Sequence, residues 1–226
     1  PYVSAQAWKR WLRNTAIEEN GWEQSVLRAI GLSERGTTNK ISGELNPVDF
    51  PEDDIFGYME AKGGQGKEEE SEEEDNVKRG KVKSIIRTSP FMASILVSLR
   101  KRGWEGRDEG FVHLKEGTPQ PYTTMFYTTD LQGVFCLDYS RLGVFNNCGD
   151  RIELDESKAQ KFLEDGKIEY EVIDPKKNWK IYKLKDLENR RKERAAGILK
   201  ALSVLRGGAK QAAFGTDIAP KAIILA

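Results

Sequence analysis

Apolar residues recur with helical spacing at the start of the chain. Ala5, Trp8 and Leu12 follow one another every three to four residues, and Ser4 before them is a residue type that caps helix N-termini. This pattern predicts a helix over residues 4–14 with its apolar side against the core. The opposite side, a sector of about 100° on a helical wheel, carries Gln6, Lys9, Arg10 and Arg13. Such a face is either a cationic binding surface or ordinary solvated helix surface.

Local sequence patterns predict four further helices. Ser89 and Pro90 are typical of a helix start, and Gly103 is typical of a helix end. Gly166 and Gly207 follow the ends of two others. The four predicted ranges are Glu23 to Ile30, Ser89 to Gly103, Asp155 to Glu164 and Lys185 to Arg206.

Runs of β-branched and aromatic residues predict the strands. Their ranges are Lys81 to Arg87, Tyr122 to Thr129, Gly133 to Tyr139, Tyr170 to Ile173 and Lys210 to Leu225. The Gly-rich, charged segment from Trp104 to Gln120 predicts an exposed hairpin or loop, and residues 33–79 predict a long insertion without a core of its own. Strands interspersed with helices favour an α+β fold with helices on one face of a sheet.

The average charge of the chain conceals an acidic run. The 226 residues hold 36 basic and 36 acidic side chains, so the formal net charge is zero. Seven of the acids lie within Glu68 to Asp75, which leaves a formal charge of +7 on the rest of the chain. Because like charges repel, this run is predicted to be a solvated, disordered loop on a moderately basic body.

Composition and motifs exclude several classes of protein. No run of about 18 apolar residues occurs, so no membrane span is expected. Cys136, Cys148 and His113 are the only cysteines and histidine, too few for a zinc site, and free thiols suit a reducing compartment. The sequence has no phosphate-binding loop, dinucleotide fingerprint or zincin motif, so neither a cofactor nor a metal ion is expected.

Basic residues form three groups that are separated in the sequence. Arg206 and Lys210 flank Gly207 and Gly208, where bare backbone N–H groups could approach a phosphate closely. Ordinary helix C-cap chemistry is the alternative for this pair. The other two groups are Lys9, Arg10 and Arg13, and Lys78, Arg79, Lys81, Lys83 and Arg87.

One pair of adjacent carboxylates, Asp53 and Asp54, could ligate a metal ion or assist RNA cleavage. In a polar insertion, plain surface charge is the simpler interpretation of this pair. The chain also lacks the aromatic and basic pattern of a standard RNA-recognition motif.

Blocks at both ends of the chain resemble one known family. Residues 1–13, Pro-Tyr-Val-Ser-Ala-Gln-Ala-Trp-Lys-Arg-Trp-Leu-Arg, look like the opening helix motif of the DevR branch of CRISPR-associated backbone subunits from type I Cascade complexes. Residues 206–220, Arg-Gly-Gly-Ala-Lys-Gln-Ala-Ala-Phe-Gly-Thr-Asp-Ile-Ala-Pro, resemble the family's closing glycine loop and strand. Tyr122 to Phe145 resembles the strands after the family's thumb. The resemblance extends over almost the whole chain in the family's order.

This resemblance implies a domain organisation. Residues 1–226 would form a single modified RNA-recognition-motif palm of the ferredoxin-like type, with a finger insertion at 33–79 that includes the acidic run and a thumb-like insertion at 104–125. Family members carry a sheet strand before the helix motif. The chain opens at Pro1 without a methionine and closes on the apolar run Ala-Ile-Ile-Leu-Ala, so both ends are expected to be cut. The family's first strand is expected to be missing here, which agrees with a cut N-terminus.

The resemblance also implies RNA contacts, to which the residue pattern adds Arg206. The expected RNA-binding residues are Ser4, Gln6, Lys9, Arg10, Arg13, Arg87, Arg206, Lys210 and Gln211. Arg87 is carried over from its position alone. Phe111 and Met125 are the candidates for thumb residues that wedge between guide nucleotides.

The implied function is that of a non-catalytic subunit in prokaryotic antiviral defence. Copies of the chain would polymerise along a guide crRNA in the cytoplasm, join other Cascade subunits and present the guide for pairing with a target DNA strand. One alternative is an endoribonuclease like the type III backbone subunits, with Asp53 or Asp54 in the cleaving role. Another is a transcriptional autoregulator, although the sequence has no helix-turn-helix signature.

Overall fold

The chain contains both helices and strands in a computed structural model of the protein, which confirms the predicted α+β class. The structure describes residues 1–32, 38–60, 84–100, 105–112, 116–118, 120–208 and 215–226. The chain divides into a small unit, Pro1–Trp8 with Ala93–Phe135, and a large unit, Lys9–Met92 with Cys136–Ala226.

Four α-helices lie in the described residues: α1 (Ala5–Asn20), α2 (Pro51–Phe56), α3 (Glu156–Glu164) and α4 (Leu187–Ser203). Side chains placed just before two of them fix where they begin. The Ser4 hydroxyl accepts the backbone N–H of Ala7 at 3.2 Å, and the Asp155 carboxylate accepts the first free N–H groups of α3. Both residues therefore act as N-caps.

Fifteen strands lie in the described residues, most of them short. They are β1 (Tyr2–Val3), β2 (Leu27–Leu32), β3 (Thr38–Gly43), β4 (Tyr58–Glu60), β5 (Ile85–Arg87), β6 (Phe91–Ala93), β7 (Leu96–Ser98), β8 (Glu105–Val112), β9 (Gln120–Tyr127), β10 (Leu131–Gln132), β11 (Phe135–Leu137), β12 (Val144–Cys148), β13 (Arg151–Ile152), β14 (Ile168–Asp174) and β15 (Trp179–Leu184).

A six-stranded sheet forms the centre of the large unit, in the order β14-β15-β12-β13-β5-β4. Its neighbouring strands are antiparallel except β13 and β5, which run parallel. The register sets Phe145 opposite Tyr182 and Ile168 opposite Leu184, so these four side chains share one face. Two further antiparallel strands, β2 and β3, pair with each other, and β6 pairs with β11.

Helix α3 packs against that face of the sheet. The buried apolar cluster consists of Phe145, Leu154, Ala159, Phe162, Ile168, Tyr182 and Leu184. Two members, Ala159 and Phe162, come from α3, and the register supplies four from the sheet. Burial of this apolar surface is the main favourable term that holds helix and sheet together.

Helix α1 and the end of α4 are joined at two places within the large unit. Thr15 and Arg206 exchange hydrogen bonds, since the Arg206 N–H donates to Thr15 Oγ1 at 3.1 Å and the hydroxyl donates to the Arg206 carbonyl at 3.3 Å. At the other place, Asn20 Nδ2 donates to the carbonyl of Gly197 at 3.1 Å. A Cβ atom at Gly197 would lie 2.6 Å from the Trp22 ring, so this close approach requires glycine.

The carboxylate of Asp54 is fully buried between two arginines. One oxygen pairs with Arg87, and the other pairs with Arg194 and accepts the backbone N–H of Gly143 at 2.9 Å. These contacts connect α2, β5, α4 and the turn before β12. A buried charge is tolerated only when it is paired and hydrogen-bonded in this way.

The same cluster continues through Arg87 to a second buried carboxylate, Glu153. Arg87 lies 3.2 Å from Glu153, which also pairs with Arg151 at 2.6 Å and Arg141 at 3.3 Å. The Arg87 guanidinium stacks 4.7 Å from the centroid of the Phe145 ring. Two buried acids and several arginines thus form one connected network in the core.

In the small unit, β7 lies between β1 and β10 in an antiparallel sheet. The two longest strands of the unit, β8 and β9, form an antiparallel hairpin in which Glu105 pairs with Tyr127 and Val112 with Gln120. This hairpin occupies the segment for which the sequence predicted an exposed hairpin or loop, and it extends beyond it into the predicted strand from Tyr122.

Local sequence signals located three helices. The predicted helix at 4–14 is present as α1 and continues to Asn20, and the predicted helices from Asp155 and Lys185 are α3 and α4. The strand predicted from Lys81 is present at β5, and the strand predicted from Tyr170 is β14. Repeating apolar positions and residues typical of helix ends were sufficient to locate these helices, because each helix buries one face.

Two predicted helices are wrong. The segment from Glu23 ends in strand β2, and the segment from Ser89 to Gly103 contains β6 and β7. The apolar residues Ile95, Leu96 and Leu99 fit a helical period, but on β7 and its flanks they alternate across the two faces of a sheet. The predicted closing strand is also wrong in its described part, because residues 215–226 contain no strand.

The insertion predicted at 33–79 contributes buried residues to the large unit. Within it, α2 buries Glu52, Asp53, Asp54 and Ile55, and the two ionic contacts of Asp54 lie in the centre of the large unit. The acidic run from Glu68 to Asp75 lies outside the described residues, so its predicted disorder stays a prediction.

We expect Arg87→Met to lower the free energy of unfolding by about 3–5 kcal/mol, because it leaves the buried Asp54 and Glu153 carboxylates without a shared cation. The matched control is Arg190→Met, since Arg190 is exposed and its ion pair with Glu193 lies at the surface. That change should cost less than about 1 kcal/mol. Denaturant unfolding measures both, and equal costs would contradict a stabilising role for the buried network.

Candidate nucleic-acid interface

The basic residues of α1 do not have equal access to solvent. Arg10 is exposed, whereas Lys9 and Arg13 are partly buried. Lys9 Nζ donates to the Ser89 hydroxyl at 2.9 Å, and burial lowers the pKa of the Lys9 ammonium. The helical wheel placed these three side chains on one side of α1, but it could not tell which of them had partners.

Arg13 is held by two acids of α2. It pairs with Glu52, which is fully buried, and lies 3.5 Å from Asp53. The other Glu52 oxygen accepts the backbone N–H of Ser25 at 2.6 Å, and Asp53 accepts the backbone N–H of Asn46 at 3.1 Å. Arg13 therefore neutralises buried acids and fastens α1 to α2, and its charge is largely used inside the protein.

Burial also raises the pKa of the Asp53 carboxyl, although the N–H of Asn46 and the charge of Arg13 act in the opposite direction. Asp54 is enclosed by Arg87 and Arg194, so neither acid has a free carboxylate facing solvent. Among the described residues, no group of three or more His, Cys, Asp or Glu side chains could hold a metal ion. The two aspartates thus act in the core, where the sequence had suggested surface charge.

Arg10 is the exposed cation of this helix. Within the described part of the chain, its guanidinium has no ion pair and no hydrogen bond. An arginine in this state keeps all its donors for an external partner, and a phosphate suits its planar fork.

Arg206, which follows α4, is exposed but has two acidic partners on α1. It lies 2.7 Å from Glu19 and 3.2 Å from Glu18. The hydrogen bond with Glu19 raises the pKa of Arg206. Lys200 also donates to the Glu19 carbonyl, at 2.7 Å. Two acids thus offset the charge that the sequence had assigned to a phosphate.

The glycines after Arg206 have a packing role. Gly207 has φ +149 and Gly208 has φ +98, a region that side chains rarely adopt. A Cβ atom at Gly207 would lie 2.4 Å from the Trp11 ring, so this position needs glycine for contact with α1. Lys210 and Gln211, the remaining expected contacts of this loop, lie outside the described residues.

Ser4 and Gln6 lie at the beginning of α1, in the small unit. The Ser4 hydroxyl is used as the helix cap, and Gln6 is exposed. In the same unit, Met125 is 72% exposed on β9 of the hairpin. Phe111 on β8 lies opposite Pro121 on β9 in the register of the hairpin. The Phe111 side chain is not among the described parts of the structure.

Arg87 is removed from the RNA-binding set. It is 1% exposed, and its guanidinium donates to the carbonyls of Asp54, Val144 and Arg141 at 3.0 Å each, in addition to its two ion pairs. A guanidinium with these contacts has no donor facing solvent. Its position beside a basic sequence cluster gave no sign of this, because its acidic partners lie far away in the chain.

Comparison with known proteins adds no relative: no protein family, no curated protein and no solved structure matches the chain.

In the described residues, no helix has the length and apolar character needed to cross a membrane. Cys136 and Cys148 are free thiols.

We expect Arg13→Gln to lower the free energy of unfolding by about 2–3 kcal/mol, because it leaves the buried Glu52 carboxylate without its cation. Arg10→Gln on the same helix is the control and should change stability by less than about 0.5 kcal/mol. Chemical denaturation compares the two variants. If both leave stability unchanged, Arg13 does not fasten α1 to α2.

Proposed function

We propose that the protein is a non-catalytic backbone subunit of a type I CRISPR Cascade complex, which binds guide crRNA. The observation that carries this proposal is Arg10, an exposed arginine without a partner in the described part of the chain. It lies on the helix whose sequence resembles the family's RNA-binding motif. Lys210, Gln211, Gln6 and Ser4 are retained as proposed contacts from that resemblance.

The proposed fold is a modified RNA-recognition-motif palm. A mostly antiparallel sheet with α3 packed on one face supports it, and the β8–β9 hairpin supports a thumb at 104–125. Met125 on this hairpin is the exposed candidate for a side chain that separates guide nucleotides. Further copies of the chain and other Cascade subunits are the proposed protein partners, in the prokaryotic cytoplasm.

Phosphate binding by a few cations suits a guide that varies in sequence. Lys and Arg contacts to phosphates supply affinity without reading bases, and they make binding depend on salt. The target DNA strand would then be recognised by its pairing with the guide. Base-specific contacts from the protein would restrict which guides it could hold.

A ribonuclease function is the less supported alternative. It required Asp53 or Asp54 to be available for a metal ion or a proton, and both are engaged by arginines or backbone N–H groups. A transcriptional autoregulator has no observation in its favour beyond the family's label.

We expect Arg10→Gln to weaken binding of single-stranded RNA and to reduce the slope of log affinity against log salt by about 0.7, the effect of one lost phosphate contact. Fluorescence anisotropy with labelled RNAs of random sequence, over about 50–200 mM salt, measures both quantities. Wild-type affinity should be similar for different sequences.

Arg190→Gln is the matched control, because it removes an exposed arginine from α4. It should leave the salt slope unchanged. A slope in Arg10→Gln equal to that of wild type, or strong wild-type preference for one RNA sequence at fixed salt, would count against the proposal.

The guide-loaded complex should not cleave complementary RNA in the presence of magnesium or manganese, because the described residues offer no free carboxylate cluster. Gel electrophoresis of end-labelled RNA detects any products. Periodic fragments that appear with wild type and vanish in a folded Asp53→Asn variant would establish the ribonuclease alternative instead.

A further inference from the structure

The exposed surface of α1 in the large unit contains a row of three side chains. Arg10, Asn14 and Glu18 are each four residues apart, and all three are exposed. Successive members of such a row are about 6 Å apart along the helix axis. We call these residues the α1 row.

The row is cationic at one end and acidic at the other. Glu18 lies 3.2 Å from Arg206, which also holds Glu19, so this end is already occupied by an internal ion pair. An RNA backbone bound at Arg10 would be repelled by the carboxylates of Glu18 and Glu19 at that end. The part of the row open to a polyanion therefore runs from Arg10 to Asn14.

No contact within the described residues explains an asparagine at position 14. It lies inside α1, where asparagine is a poor helix former, and its amide has no hydrogen bond within the described residues. The contrast is Asn20 on the same helix, whose amide donates to the carbonyls of Ala16 and Gly197. Asn14 thus presents two donors and an acceptor to solvent, one turn from Arg10.

We propose that Asn14 is a further contact of the RNA site, hydrogen-bonded to the sugar-phosphate backbone beside the phosphate held by Arg10. This inference rests on the proposed function. Asparagine is neutral, so it adds affinity without releasing a counterion, in contrast to Arg10. Its amide can bind either a phosphate oxygen or the ribose 2′-hydroxyl, which both donates and accepts.

The experiment compares Asn14→Ala and Asn14→Asp with wild type, using matched single-stranded RNA and DNA oligonucleotides. Asn14→Ala should weaken RNA binding about threefold to tenfold, the effect of one lost hydrogen bond, with no change in salt slope. Asn14→Asp should weaken it further, because it places a negative charge beside the phosphate. Alanine is a better helix former, so the melting temperature of Asn14→Ala should not fall.

Gln160→Ala and Gln160→Glu supply the controls, because Gln160 is an exposed amide on α3. They should bind RNA as wild type does. A loss confined to RNA assigns the contact to the 2′-hydroxyl, and an equal loss on RNA and DNA assigns it to phosphate; either result supports the proposal.

Unchanged affinity in Asn14→Ala, together with an Asn14→Asp effect no larger than that of Gln160→Glu, would overturn the assignment of Asn14 while the proposed function stands. A wild-type protein that fails to bind RNA would overturn the proposed function itself. A changed salt slope in Asn14→Ala would also contradict the proposal, because a neutral contact releases no counterion.

Discussion

The arrangement of the large unit depends on the ion pairs and the hydrogen bond of the buried Asp54 carboxylate. A charge without solvent must have complementary partners, and here they come from β5, α4 and the turn before β12. Each partner belongs to a different element, so the elements can pack in this way only when all these contacts form together. Glu153, the residue after β13, extends the same requirement to that part of the chain through Arg87.

The short helix α2 transmits this constraint to the surface. Asp54 faces the core arginines, while its neighbours Glu52 and Asp53 contact Arg13 of α1. Helix α1 is thereby fixed by an ion pair on the side next to α2. Arg10 lies on the exposed side of the same helix and has no internal partner in the described part of the chain.

A count of basic residues therefore exaggerates the surface available to RNA. Arg87 and Arg13 neutralise buried acids, Arg206 offsets two acids of α1, and Lys9 binds a hydroxyl. In the proposed function, a guide would be held by a small number of unpaired cations and neutral donors on each copy. Repetition along the RNA would supply the total affinity, because weak contacts gain strength when many are linked.

The sequence by itself determined α1, α3 and α4, because a repeating apolar face and a capping residue such as Asp155 are local signals. It also placed Arg10 on a polar helix face. Tertiary structure decided which cations remain free, since Arg13 and Glu52 are 39 residues apart and Arg194 and Asp54 are 140 apart. It likewise decided that Leu96 lies in a strand. Apolar residues on both faces of a short segment are compatible with a helix as well as with a strand, so the local pattern does not choose between them. Pairing between distant segments leaves no local pattern in the sequence, and that is why the core network could be recognised only in the folded chain.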